Sequence, residues 1–131
     1  MLLPISSLYV SVNALIIIYL AFRVIRIRFG QRIGLGSGGN KELSVLMRAH
    51  ANNIEASVTV LPLLIIAELN GVASYLLHGA GLLFVFGRLF HFFDFIRTKA
   101  HASKGRFLGT LSVWICAVGL AAINIYRYFL N

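Results

Sequence analysis

The chain has 131 residues, of which 59% are apolar and 12% carry a charge. A soluble domain of this length could not bury so much apolar surface in one core, so the composition excludes an ordinary soluble protein and predicts a single membrane domain over residues 1–131. The net charge of +8 does not indicate a nucleic-acid partner, because the basic residues lie in short connections between apolar runs. The single cysteine, Cys116, allows no disulfide within the chain, and the Cys and His spacing predicts no metal site.

The first apolar run predicts a membrane-spanning helix over residues 3–26. No basic segment precedes this run and no A-x-A motif ends it, so we expect a retained helix rather than a signal peptide. The next segment, GLGSGGN at 34–40, matches G-x-G-x-x-G, the pattern of a dinucleotide-binding turn. Because no strand precedes it, the segment predicts a flexible loop instead.

Three further apolar runs predict helices over residues 43–69, 73–96 and 106–129. Asn70-Gly71 marks a tight turn between the second helix and the third. The polar segment RTKAHASKGR separates the third helix from the fourth. The sequence therefore predicts an all-α integral membrane protein that forms a bundle of four transmembrane helices.

Lysine and arginine are distributed unevenly among the connections. Six of the twelve lie at 23–48 and five at 88–106, whereas the connection at 70–72 has none. Cytoplasmic connections of membrane proteins carry the excess of basic residues, so we expect both basic connections in the cytoplasm and both termini on the other side. Some of these residues can be interpreted as interfacial anchors whose long side chains reach the headgroups, namely Arg26, Arg28, Arg32 and Arg97.

One face of the second helix carries three polar residues at i, i+4 and i+7, which are Arg48, Asn52 and Glu55. A charge at membrane depth costs about 2.5 to more than 10 kcal/mol, so such residues persist where they are paired or functional. Three of them on one face exceed what helix packing needs, which favours a binding function. For Glu55 the alternative interpretation is a structural ion pair with Arg88 on the third helix.

Further polar residues are expected at the same depth. Arg88, His91 and Asp94 follow one another at helical spacing on the third helix. Arg26 closes the first helix and Arg106 opens the fourth. All lie toward the cytoplasmic half, so four helices could converge on one basic, polar pocket that suits an anionic ligand.

At these residues the sequence resembles the MAPEG family, the membrane-associated proteins in eicosanoid and glutathione metabolism. LMRAHANNIE at 46–55 resembles the R-x-x-x-N-x-x-E helix of that family. GRLFH at 87–91 resembles its G-R-x-x-H segment, and RFLG at 106–109 resembles the R-x-x-G that opens its fourth helix. The resemblance covers nearly the whole chain and is closest to the small bacterial branch.

The resemblance implies a homotrimer with glutathione as co-substrate, held near the cytoplasmic side between neighbouring subunits. By position it assigns glutathione binding to Arg26, Arg48, Asn52, Glu55, Arg88 and His91. It assigns the catalytic role to Arg106, beside the sulfur, where a fixed cation favours the nucleophilic thiolate. Three residues that differ from the family's pattern remove a charge and two hydroxyl groups from the expected site, namely Ala51, Ala56 and Phe95.

We therefore expect a glutathione-dependent membrane transferase or peroxidase that acts on hydrophobic electrophiles or lipid hydroperoxides in a bacterial inner membrane. The hydrophobic small-molecule substrate would enter from membrane lipid, and glutathione would enter from the cytoplasm. The alternative is a non-catalytic membrane trimer whose basic pocket binds an anionic lipid or metabolite. An ion-conducting assembly is disfavoured, because no polar stripe runs the full depth of any helix.

Overall fold

A computed structural model of the chain describes residues 2–99, 101 and 103–130. Within these residues the chain forms four α-helices, which are α1 (Pro4–Gln31), α2 (Lys41–Leu69), α3 (Ser74–Arg97) and α4 (Lys104–Leu130). Each of them is long and apolar enough to cross a membrane. The described part of the chain contains no strand. The predicted class, an all-α membrane protein with four spans, is confirmed.

Helix α1 runs beyond the apolar segment, as far as Gln31. Arg32 then adopts a left-handed conformation with φ 54°, and its N–H donates to the Phe29 carbonyl at 3.4 Å. The Arg28 side chain donates to the Ile33 carbonyl just past the helix end, at 3.3 Å. Arginine is a good helix former and its charge suits a helix C-terminus, so the helix continues where its hydrophobicity stops.

Glu68 ties the start of α1 to the end of α2. Its carboxylate accepts the backbone N–H of Ile5 at 3.0 Å and that of Ser6 at 2.6 Å, and it also accepts the Ser6 hydroxyl. The first N–H groups of a helix have no partner within it, and a negative charge there suits the helix dipole. Pro4, which has no N–H to satisfy, begins the helix.

Helices α2 and α3 lie in the middle of the bundle, where each packs against α1 and against α4. Large side chains from both helices are fully buried between them and their neighbours, among them Leu64 and Phe84. In mid-span the Asn13 amide of α1 donates to the Ser57 hydroxyl of α2 at 2.8 Å. Packing and hydrogen bonds of this kind hold helices together where lipid removes the hydrophobic driving force.

Helices α3 and α4 meet at two glycines. A Cβ atom on Gly87 would lie 1.8 Å from the Ser112 hydroxyl oxygen, and one on Gly109 would lie 2.5 Å from the Cβ atom of His91. Neither contact is possible without moving the helices apart. The two glycines therefore allow a close approach of the backbones, as small residues do in other pairs of membrane helices. This approach brings Arg88 against α4.

Candidate functional site

The polar face of α2 presents Arg48 and Glu55 at the surface of the chain. Their side chains are 61% and 57% exposed, and the Arg48 guanidinium lies 3.5 Å from the Glu55 carboxylate. Asn52 lies between them on the same face and is half-buried. The face thus offers a cation, an amide and an anion side by side, as the spacing predicts.

Arg88 is almost completely buried, with 3% of the residue exposed. Its Nη1 donates to the side-chain oxygen of Asn52 at 2.9 Å, and its Nη2 donates to the Gly109 carbonyl at 2.6 Å. The Gly109 carbonyl is within reach because the glycines let α4 come close to α3. Arg88 therefore links the polar face of α2 to the start of α4.

The alternative interpretation of Glu55, a structural ion pair with Arg88, is not borne out among the described residues, which show no such pair. Glu55 pairs with Arg48, and the partner of Arg88 on α2 is Asn52. Asn52 is half-buried and its short side chain reaches the buried guanidinium, whereas Glu55 lies on the exposed part of the same face.

A groove of 260 Å³ lies between α2 and α4, above Arg88. Its polar lining residues are Asn52, Glu55, Thr59, Arg88 and Thr110. The α4 side is formed mainly by apolar and aromatic surface, from Val113, Trp114 and Ala117. The groove thus combines a charged end with an apolar wall, and Trp114 beside it is 64% exposed. We call this space the α2–α4 groove.

His91 and Arg106 meet at Phe95, outside the residues that form the α2–α4 groove. His91 is buried and stacks on the Phe95 ring, with centroids 5.7 Å apart, and the Arg106 guanidinium lies 4.6 Å from the centroid of that ring. Arg106 also donates to the His101 carbonyl at 3.0 Å, and its backbone N–H donates to the Asp94 carboxylate at 3.2 Å. These contacts hold the arginine at the start of α4, with a cation–π contact to the residue that replaces the expected tyrosine.

Arg26 lies away from both the α2–α4 groove and the contacts at Phe95. It is exposed on α1 and lines a cavity of 590 Å³ between the end of α1 and the start of α2. Arg23 and Glu42 line the same cavity and lie 3.8 Å apart. Within one chain, Arg26 is therefore separate from the α2–α4 groove.

The sequence-predicted residues thus occupy three places within one chain. The α2–α4 groove and its edge hold Arg48, Asn52, Glu55 and Arg88. His91 and Arg106 lie together at the Phe95 ring. Arg26 lines the cavity between the end of α1 and the start of α2, which we call the α1 cavity. Sequence reasoning missed the α4 wall of the groove. Its signal was the i, i+4 spacing that places Thr110 and Trp114 on one face of α4.

A sequence model of the MAPEG family matches residues 6–126 of the chain. The chain is also similar to Inner membrane protein YecN of Escherichia coli strain K12, with 33% identity over 122 residues that cover 93% of this chain and 91% of the relative. The protein of the same name from Escherichia coli O6:H1 shows the same identity and the same coverage. Both kinds of match extend through all four helices.

Proposed function

The chain belongs to the MAPEG family, and on this basis we propose that it is a glutathione-dependent membrane transferase or peroxidase. Its second substrates would be hydrophobic electrophiles or lipid hydroperoxides. The observation that carries the proposal is the face of Arg48, Asn52 and Glu55, which Arg88 supports from α3. This face lies beside an apolar groove, so a polar and an apolar reactant could meet there.

The chemistry of glutathione fits this face. The tripeptide has two carboxylates and one ammonium group, and arginine and glutamate are their respective partners in charge-assisted hydrogen bonds. Arg48 would bind a carboxylate and Glu55 the ammonium group, after their own exposed pair opens. Glutathione would give each of the two side chains a new partner of opposite charge, so neither charge is left unpaired when their own pair opens. Arg88 would act through Asn52, which it orients by a hydrogen bond.

Arg106 is the residue that we propose for catalysis. A thiol is a weak nucleophile until it loses its proton, and a nearby cation stabilises the thiolate without having to accept the proton. The guanidinium of Arg106 is held at the start of α4 by its contacts with His101 and Phe95. His91 would support this arrangement by its stacking on Phe95.

We also propose that the protein works as a homotrimer with its sites between neighbouring subunits. The position of Arg26 supports this, because the α1 cavity is separate from the α2–α4 groove within one chain. A glutathione contact from Arg26 therefore requires that α1 of one copy lie beside α2 of the next. The relatives are named as inner membrane proteins, which supports a bacterial inner membrane location with glutathione supplied from the cytoplasm.

A non-catalytic trimer that binds an anionic lipid or metabolite is the second candidate. The burial of Arg88 favours it, because that cation has only neutral hydrogen-bond partners among the described residues. Glutathione itself is an anion, so the two candidates share a site and differ in chemistry.

The deciding experiment is a pair of measurements on detergent-purified protein. Titration calorimetry should show glutathione binding at millimolar concentration, and a chlorinated nitrobenzene should be conjugated faster than in buffer. A glutathione analogue with a methyl group in place of the thiol should bind and give no conjugate. If glutathione does not bind, the transferase proposal fails; if it binds without conjugation, the non-catalytic candidate takes its place.

A further inference from the structure

The side chain of Asp94 holds the first turn of α4 from the end of α3. It is 15% exposed, and its carboxylate accepts the Ser103 hydroxyl and the backbone N–H of Arg106, the latter at 3.2 Å. Ser103 directly precedes α4, and its own oxygen accepts the same N–H over a longer distance of 3.5 Å. The first N–H groups of a helix need such acceptors, and a negative charge there suits the helix dipole. Asp94 therefore caps a helix to which it does not belong.

Gly105 leaves the space that this carboxylate occupies. A Cβ atom on Gly105 would lie 2.6 Å from the carboxyl carbon of Asp94 and 2.6 Å from one of its oxygens. A larger residue fits there only if the carboxylate or the start of α4 moves. A side chain of α3 thus packs directly on the backbone of α4, one residue before Arg106.

The next residue of α3 contacts the other end of the same arginine. The Arg106 guanidinium lies 4.6 Å from the centroid of the Phe95 ring, while Asp94 accepts the Arg106 backbone N–H. Two consecutive residues of α3 thus hold both the backbone and the charged group of Arg106. The effect of a fixed cation on a developing charge depends on the distance between them, so these contacts determine what the cation can stabilise.

The charge of Asp94 opposes the chemistry proposed for Arg106, because a nearby negative charge disfavours a thiolate. Its contribution must therefore come from geometry rather than from its field. We propose that Asp94 is a positioning residue, which sets the place of the Arg106 cation by capping α4 at Gly105 and Arg106. The inference rests on the proposed function for what the cation does, whereas the hold of Asp94 on Arg106 can be measured without glutathione.

The first experiment titrates the thiolate absorbance of glutathione bound to the detergent-purified protein. Asp94→Ala should raise the pKa of the bound thiol toward the value in Arg106→Ala, with little change in the dissociation constant. Removal of the negative charge by itself would lower this pKa, so the sign of the shift separates position from field. Asp94→Asn keeps an acceptor oxygen, so its thiol pKa should lie below that of Asp94→Ala.

Gly105→Ala tests the same contact from the other helix without changing any charge. Its added Cβ atom should displace the start of α4 from Asp94, so the pKa of the bound thiol should rise in this variant too. Gly119→Ala is the matched control further along α4, because its Cβ atom would meet nothing within 4 Å. It should titrate like the wild type.

The second experiment needs no glutathione. Trypsin cleaves after arginine once the helix around it opens, so mass spectrometry of a limited digest reports how firmly the start of α4 is held. Asp94→Ala should speed cleavage after Arg106 about fivefold, the ratio that corresponds to the loss of an N-cap worth about 1 kcal/mol. Cleavage after Arg127, near the other end of α4, is the internal control and should not change.

Equal cleavage after Arg106 in the wild type and in Asp94→Ala overturns the proposal, whether or not the protein binds glutathione. The proposal is also overturned if Arg106→Ala raises the pKa of the bound thiol but Asp94→Ala and Gly105→Ala do not, and the proposed function then stands. Faster cleavage in Asp94→Ala together with no glutathione binding by the wild type would contradict the proposed function and leave the hold of Asp94 on Arg106 supported.

Discussion

The guanidinium of Arg88 donates to the side-chain oxygen of Asn52 over 2.9 Å, which joins α3 to the polar face of α2. The same guanidinium donates to the Gly109 carbonyl of α4, so one buried side chain connects three helices. Glu55, three residues further along α2, pairs with the exposed Arg48 instead. Asn52 is thus the residue of this face whose removal affects the interior of the bundle.

Asn52→Ala should lower stability, because it leaves the Arg88 guanidinium buried with one acceptor fewer. A hydrogen bond to a charged group contributes about 1.5–3 kcal/mol, and a loss of that size should appear as a lower unfolding temperature in detergent. Glu55→Gln is the matched control on the same helix face, and it should lower stability less, because the glutamine still offers Arg48 a hydrogen-bond acceptor and the buried Arg88 keeps both of its own. If Glu55→Gln destabilises as much as Asn52→Ala, the hydrogen-bonding partners described above are wrong.

Gly109→Ala should destabilise the pair of helices α3 and α4. The added Cβ atom would lie 2.5 Å from the Cβ atom of His91 and 2.7 Å from the Gly87 carbonyl oxygen, and overpacking of this kind costs about 1–3 kcal/mol. Gly119→Ala, further along α4, is the control: its added Cβ atom would meet nothing within 4 Å. Alanine is the better helix former, so Gly119→Ala should leave the unfolding temperature unchanged or raise it slightly. Equal effects of the two changes would show that α3 and α4 do not cross at Gly109.

The four spans could be predicted from the sequence because lipid imposes one strong condition, about 20 apolar residues in a row. The polar face of Arg48, Asn52 and Glu55 could be predicted as well, since helical spacing fixes which residues share a face. The hydrogen-bond partner of Arg88 on α2 could not be predicted. Asn52 and Glu55 are less than one turn apart, and the choice between them depends on how deeply each lies against α3, which helical spacing does not determine.

The place of Arg26 shows a second limit of the sequence. A pattern of charges shows how far along a helix a residue lies but not which neighbouring helix it faces, and Arg26 lines a cavity separate from the α2–α4 groove. The close approach of α3 and α4 at Gly109 could be predicted only in part. Glycines in membrane helices indicate a crossing, but the sequence does not say which helix is crossed.

The topology prediction concerns the two basic connections. Eleven of the twelve lysines and arginines lie at 23–48 and 88–106, and the ends of the helices place these segments on one side of the bundle. We expect this side in the cytoplasm and both termini outside it. A C-terminal fusion to a reporter that fluoresces only in the cytoplasm should stay dark, and a fusion inserted in the 34–40 loop should fluoresce. The reverse result would move the proposed site to the wrong side of the membrane.

The assembly prediction follows from the exposure of Arg48 and Glu55. In an isolated chain both side chains are more than half exposed at a depth where charge in lipid costs several kcal/mol. Contact with neighbouring copies would remove them from lipid, so native mass spectrometry from a mild detergent should show three chains. A dominant monomer or dimer would count against the trimer. Arg48→Leu, which makes this face more lipid-compatible, should shift the distribution toward fewer chains.

The last prediction assigns different roles to two arginines of the proposed glutathione site. Arg48→Ala should weaken glutathione binding by about 1.5–3 kcal/mol, which is roughly 10- to 150-fold in dissociation constant. Arg97→Ala removes the same charge from an 83% exposed side chain at the same end of the bundle, and it should leave binding unchanged.

Arg106→Ala should affect the sulfur rather than the affinity. With the cation gone, the bound thiol should hold its proton to higher pH, so a titration of thiolate absorbance should shift upward while the dissociation constant changes little. The Arg106→Lys variant keeps the charge but loses the planar contact with Phe95. Its thiolate titration should therefore lie between those of the wild type and Arg106→Ala. If the absorbance titration is the same with and without Arg106, thiolate stabilisation is not its role. Catalysis would then depend only on how the two substrates are positioned. In that case Arg48→Ala should reduce the conjugation rate in the same proportion as it reduces glutathione binding.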